Sequence, residues 1–237
     1  MEFGISEEGK IIEDQVVRFL NEKIIPAENT IIEESHDVSN GVDTPTMKAL
    51  RAEAKSLGLW NLYLPDKEWG AGVSNHDYSV LCEHMGRSPV ASRVFNCNAP
   101  DTGNAEIMAE FGTDDQKEKW LKPLLEGEIR TCFSMTEPDT SGADPTGLRT
   151  QAVRDGDEWV INGHKWFTSG AIGARYAIAM VVTNPKGNPH ERASMIIVPT
   201  DAPGFDLIRP VSVMGHTGGG GHCEIQYNDC RVPVTNL

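Results

Sequence analysis

Cations are scarce in this chain of 237 residues, where 21 Lys and Arg face 35 Asp and Glu for a formal charge of -14. Nucleic-acid backbones are gripped through clustered Lys and Arg, so this balance excludes nucleic acid as an expected partner. The deficit is uneven: residues 1–130 carry 13 Lys and Arg against 24 Asp and Glu (net -11), residues 131–237 carry 8 against 11 (net -3). An acidic solvated surface over the first part is the plain reading. Cysteine is also sparse. Cys82, Cys97, Cys132, Cys223 and Cys230 stand at irregular spacing with no C-x-x-C pair, which excludes a zinc knuckle and a disulfide framework. Reduced, mostly buried thiols in a cytoplasmic protein are expected. Long apolar runs are missing, so no membrane span is expected, and the acidic opening MEFGISEEGK lacks the apolar core of a signal peptide.

Several catalytic signatures are missing too. There is no GxGxxG after a strand, no GxxxxGK[ST], no HExxH and no GxSxG, which removes the usual dinucleotide, nucleotide, zinc-peptidase and serine-hydrolase readings. The glycine run Gly218–Gly221 has no helix pattern after it and is expected to be a flexible loop rather than a phosphate nest. His164, His216 and His222 lie near turn signals, where a solvent-facing imidazole is the default and no metal site is expected.

What is present divides the chain in two. In the first part Ile12, Val16, Phe19, Leu20 and Ile24 recur at helical spacing between charges. Thr44-Pro45 is an N-cap followed by proline at the first helical position, and Gly58 is placed to end that helix. Thr113 with Gln116 is a capping box opening a helix that Gly127 closes. Asn75–Gly86 and Asp101–Phe111 also scan as helices, whereas Leu64–Asn75 reads as a loop. After about Arg130 the apolar runs become short and rich in valine and isoleucine. Asp155-Gly156 and Asn162-Gly163 read as turns flanking the strand-like EWVI. Tyr176–Val182, Met195–Val198 and His222–Tyr227 are further strand candidates. The expected fold is α+β, a helical domain over residues 1–130 followed by a small antiparallel β-barrel or sandwich over 131–237.

Two hydroxyl-bearing loops remain as candidate chemistry: CFSMTEPDTSGAD at Cys132–Asp144 and KWFTSGA at Lys165–Ala171. Phe133 and Met135 alternate as on one strand face before Thr136, and Phe167 with Ser169 repeats the aromatic-then-hydroxyl arrangement. A flat cofactor ring needs such a surface with polar groups at its edge. Ordinary barrel aromatics and turn-capping hydroxyls explain the same spacing. Glu137, followed by Pro138, is expected to fix its turn rather than abstract a proton.

The wider wording resembles the acyl-CoA dehydrogenase family. Besides CFSMTEPD, the stretches APDTGNAEIMAEFG, QKEKWLKPLLEGEIR, WVINGHKWFTSGA and EIQYNDCRVPVTNL look like that family in its order, and FSMTEPD with Trp166-Phe167 looks like the branch of family members ten and eleven. The resemblance implies an FAD-dependent oxidoreductase that desaturates acyl-CoA thioesters. Relatives sharing this fold also include flavin monooxygenases and nitroalkane oxidases, and a non-catalytic acyl-binding or assembly module stays open. By resemblance Phe133, Met135 and Thr136 line the flavin, with Thr136 at its pyrimidine end. Ser169 meets the hydride-accepting side, Phe167 stands where many relatives have tryptophan, and Thr168 lies between them. The loop residues Ser141, Gly142 and Ala143 complete the cofactor cradle, and Ser141 and Ala143 also border the thioester. Ala143 departs from the serine of many relatives. The family places its catalytic base in a third, helical domain that would lie beyond Leu237, so no catalytic residue is assigned. The implied partners are acyl-CoA, an electron-transfer flavoprotein or other acceptor, and either that third domain or further copies in an oligomer.

Overall fold

A computed structural model describes residues 4–37, 42–215 and 220–237; His216, Gly218 and Gly219 lie outside these. The chain separates into two compact units, Met1–Glu128 and Ile129–Leu237.

The first unit is helical: α1 Glu7–Phe19, α2 Ile25–Ser35, α3 Pro45–Ser56, α4 Asn75–Met85, α5 Ala91–Val94, α6 Asp101–Phe111, α7 Asp114–Gln116 and α8 Lys122–Leu125. One π-helical turn, Leu20–Ile24, joins α1 to α2, and another, Lys117–Leu121, joins α7 to α8. Capping follows the local chemistry. Thr44 accepts the Met47 N–H ahead of α3, and Thr113 and Gln116 close their box reciprocally at 3.2 and 3.0 Å. Each bond satisfies an amide that a helix start leaves without a partner. Gly58 and Gly127 both take φ of 75° just past helix ends, a conformation that suits glycine. Val16, Phe19, Leu20 and Ile24 form the buried stripe, with Phe19 against Phe95 at 5.7 Å between ring centroids.

The second unit is a curled sheet of β1 Thr131–Ser134, β2 Gln151–Asp155, β3 Glu158–Ser169, β4 Tyr176–Val182, β5 Ala193–Pro199, β6 Phe205–Val211 and β7 His222–Pro233. Its order is β1-β4-β2-β3-β7-β6, with β5 on β4. The sheet is mixed rather than wholly antiparallel, because β1 runs parallel to β4 and β2 meets β4 in parallel at Gln151 and Val182. Period-two patterning locates strands but carries no direction. A parallel pair needs a long connection, and the segment holding the β2–β3 hairpin supplies it. β4 is almost entirely buried, as its unbroken apolar run requires.

Asp155-Gly156 does form the β2–β3 turn, with Gly156 at φ 64°. Asn162-Gly163 does not turn the chain; it lies inside the twelve-residue β3, at a register shift against β7 between Ile161 and Gly163. A Cβ on Gly163 would come within 2.4 Å of Thr150 Oγ1 and 2.6 Å of Thr150 Cα. The glycine therefore permits a close strand approach, a demand that a turn dipeptide mimics in sequence. Four cysteines are buried and Cys82 is exposed, all with free thiols. No helix among the described residues is long and apolar enough to cross a membrane.

Candidate functional site

The two hydroxyl-bearing segments are brought together in the second unit. Past the end of β1 the chain continues alongside β3, where Thr136 O accepts the Trp166 N–H at 2.9 Å. Beneath this contact Lys165, with no exposed surface, extends its ammonium to Met135 O at 2.6 Å and Glu137 Oε1 at 3.0 Å. The Glu137 carboxylate is filled from its other side by the Arg149 and Thr150 amides, both at 2.8 Å. A buried charge is tolerated only when it is paired and hydrogen-bonded, and this one is both. Burial by itself would raise the Glu137 carboxyl. Hydrogen bonds from Thr150 and the Lys165 ammonium outweigh it and hold the group below its ordinary value. Burial lowers the Lys165 ammonium, with Glu137 opposing. Glu137 is thus a tether that fixes the loop to the strand.

Around this clamp the backbone sorts the candidates into two faces. Cys132 and Ser134 are buried inward, so Phe133 and Met135, both partly exposed, lie on the outer face with Thr136 next to them. On β3, Phe167 is 40 % exposed at φ 50°, its ring 4.6 Å from that of Trp166. A positive φ is unusual for a bulky residue, and here it falls in the irregular step between Lys165 and Thr168. Ser169 is partly exposed, and its hydroxyl lies 2.6 Å from His222 Nδ1. Ser141, Gly142 and Ala143 are exposed, and a Cβ on Gly142 would stand 3.1 Å from Thr136 Cγ2, so that loop folds back against Thr136.

Thr168 departs from its expected place. It has no exposed surface, and its hydroxyl is 3.4 Å from Ser134 Oγ, which accepts from Tyr227 at 3.0 Å. The step at Trp166-Phe167 brings Thr168 onto the inward face that Lys165 already shares with Ile161, so its side chain points away from the outward row. The histidine expectation also changes. His164 lies in mid-strand, 2.8 Å from Glu224, and His222 opens β7 paired to Ser169; neither is a bare surface imidazole.

An outward apolar row edged by hydroxyls suits a flat ring with polar rim atoms. The fit has a further sign: Trp166 Nε1 is buried without an acceptor, at the same step of β3. Buried donors are nearly always paired, so this indole marks a place where an acceptor is wanted. Lys165, Trp166 and His222 had no assigned role before the fold was known. The residue pattern carries no register between strands, so it signals neither the Lys165–Glu137 contact nor the Ser169–His222 contact. No group of three or more metal-ligating side chains occurs among the described residues.

Comparison with known proteins accounts for both units. The family model for the acyl-CoA dehydrogenase N-terminal domain matches residues 6–128, and that for the middle domain matches 132–230. Acyl-CoA dehydrogenase family member 10 of Mus musculus is 41% identical over 242 residues, covering 99% of this chain and 23% of that protein. Family member 11 of Homo sapiens is 42% identical over 244 residues, covering 99% of this chain and 31% of that protein. The chain therefore spans about a quarter to a third of the length of these curated relatives. A solved structure described as an acyl-CoA dehydrogenase of Mycobacterium abscessus superposes with a TM-score of 0.91 at 39% identity, over 98% of this chain and 60% of that one.

Proposed function

The chain belongs to the acyl-CoA dehydrogenase family, and from that premise we propose that it forms the FAD-cradling part of an oxidoreductase that desaturates acyl-CoA thioesters. One observation carries this reading: the Lys165 clamp holds Met135 and Thr136 beside Trp166, with Phe133, Met135, Thr136, Phe167 and Ser169 left facing outward. Phe133, Met135 and Phe167 would support the ring, and the Thr136 and Ser169 hydroxyls would meet its edge. The close approach at Gly142 keeps the Ser141–Ala143 loop near Thr136, where it would border both cofactor and thioester. FAD, when bound, supplies the acceptor for the two electrons taken from the acyl chain.

The residues present divide the labour of positioning without supplying a base. Glu137 is buried, charged and fully engaged, so it cannot take an α-proton from a substrate. A weakly acidic α-carbon needs both a placed base and hydrogen bonds to the developing enolate, and the base belongs elsewhere in the active assembly. Acyl-CoA as substrate, an electron-transfer flavoprotein as acceptor and an oligomer or a further helical domain as partner follow from the same proposal. The test is anaerobic titration of the FAD-reconstituted intact protein with acyl-CoA. Bleaching of the visible flavin band with formation of enoyl-CoA is expected; a protein that takes up no flavin sinks the proposal.

A further inference from the structure

We propose that His222 is a positioning residue that acts through Ser169 and sets which way the Ser169 hydroxyl faces the cofactor. The inference rests on the reading of this face as a flavin cradle. Its observation is the 2.6 Å contact between Ser169 Oγ and His222 Nδ1, made across the register pair Ser169–His222 where β3 ends and β7 begins.

A serine hydroxyl has one proton to give and two lone pairs to receive with. Ser169 has a second neighbour, the Phe167 carbonyl, at 3.4 Å, too far to compete with a contact of 2.6 Å. Which atom owns the proton between serine and imidazole therefore decides what Ser169 offers outward. With Nδ1 bare, Ser169 donates to the ring and turns its lone pairs outward, ready to receive an N–H. With Nδ1 protonated, His222 donates to Ser169, and the serine proton is free for an outside acceptor. A flavin edge presents a bare nitrogen when oxidised and an N–H when reduced, so this pair meets both forms by a change of imidazole tautomer, in which the ring proton passes between Nε2 and Nδ1 through solvent and serine keeps its own.

Alternative duties for the pair are poorly supported. Ser169 and His222 are each only partly buried, so neither is needed to fill the core. Around them the close packing is backbone: Gly170 donates to the Gly221 carbonyl and Ile172 to that of Gly220, both at 2.8 Å, which already fastens the two chain segments. The side-chain bond is an addition to a junction that backbone bonds hold.

The test uses the intact protein reconstituted with FAD, and reads the FAD dissociation constant by dialysis and the flavin midpoint potential. His222→Ala and Ser169→Ala should each weaken FAD binding about 5- to 10-fold, the usual worth of one good hydrogen bond, and each should shift the potential. Combining them should add nothing, because both remove the same contact. His222→Asn places an amide where Nδ1 stands and should restore most of both readouts, with the unfolding midpoint unchanged throughout. The inference is overturned if His222→Ala matches the native protein, if its effect persists in the Ser169→Ala background, or if asparagine gives no recovery. A native protein that binds no FAD overturns the cofactor reading and this inference together; one that binds FAD while the variants behave as native overturns this inference alone.

Discussion

Lys165 shows how much one side chain can decide. A lysine with no exposed surface persists only because its ammonium finds Met135 O and Glu137, and these two contacts fix the loop that carries the outward face. Lys165→Met should strand the Glu137 carboxylate and cost about 3–5 kcal/mol, the usual penalty for a buried charge that loses its partner. Lys165→Met with Glu137→Gln leaves no buried charge, so the pair should cost clearly less than the sum of its singles. Urea midpoints at constant m-value decide it, and a strictly additive double variant would refute the coupling. Glu137 was legible from sequence as a turn anchor because it precedes proline in a polar loop. Its partner was not: Lys165 shares the inward face of β3 with Ile161, four residues earlier, but alternation alone does not say that a charged side chain there meets a loop carboxylate.

At the scale of elements, legibility followed the strength of local chemistry. Helix starts at Thr44 and Thr113 and the ends at Gly58 and Gly127 could be read directly, because capping bonds and positive φ depend on a few adjacent residues. β6 was not foreseen: FDLIRPV has no alternation, its middle is exposed, and it holds a proline that only an edge strand tolerates. Gly156 and Gly163 separate two demands that look identical in sequence. A Cβ on Gly156 meets nothing within 4 Å, so Gly156→Ala should cost about 1 kcal/mol of backbone strain alone. A Cβ on Gly163 runs into the Thr150 backbone and hydroxyl, so Gly163→Ala should cost a further 1–3 kcal/mol or so of overpacking. Equal urea midpoints for the two variants would show that the strands can part without cost. Side-chain direction shared this limit: the alternation of Phe133 and Met135 at β1 was readable, while the inward turn of Thr168 was hidden by an irregular step that the residue pattern does not mark.

For the whole molecule the governing quantity is charge, and two effects of opposite sign compete as pH falls. The net charge of -14 at pH 7 destabilises any compact form by self-repulsion, and that repulsion fades toward a pI near 4.9. Below that, local carboxylates take over. Asp77 is held low first by the Ser6 amide and hydroxyl, Glu34 by Thr46 and Thr44, and Asp144 by Thr146, while Glu137 stays low despite its burial. A carboxyl whose folded pKa lies below its unfolded one binds fewer protons when folded, so its stabilisation is present above the ordinary value and lost as pH falls through the folded one. Lys165, also lowered, contributes in the same direction at alkaline pH, its own share of stability rising with pH until its proton is lost from both states. Repulsion should therefore set the slope between pH 7 and 5, and proton uptake by these four carboxylates the slope below the ordinary 3.8 to 4.5. Urea midpoints should rise modestly from pH 7 to about pH 5 and fall steeply below pH 4 or so. Salt separates the two causes. Raising ionic strength to about 0.15 M shortens the screening length to about 8 Å, which should stabilise the protein at pH 7, where repulsion is large, and leave it nearly unchanged at pH 5. A salt effect as large at pH 5 as at pH 7 would show that the acidic surface does not set the stability of this fold.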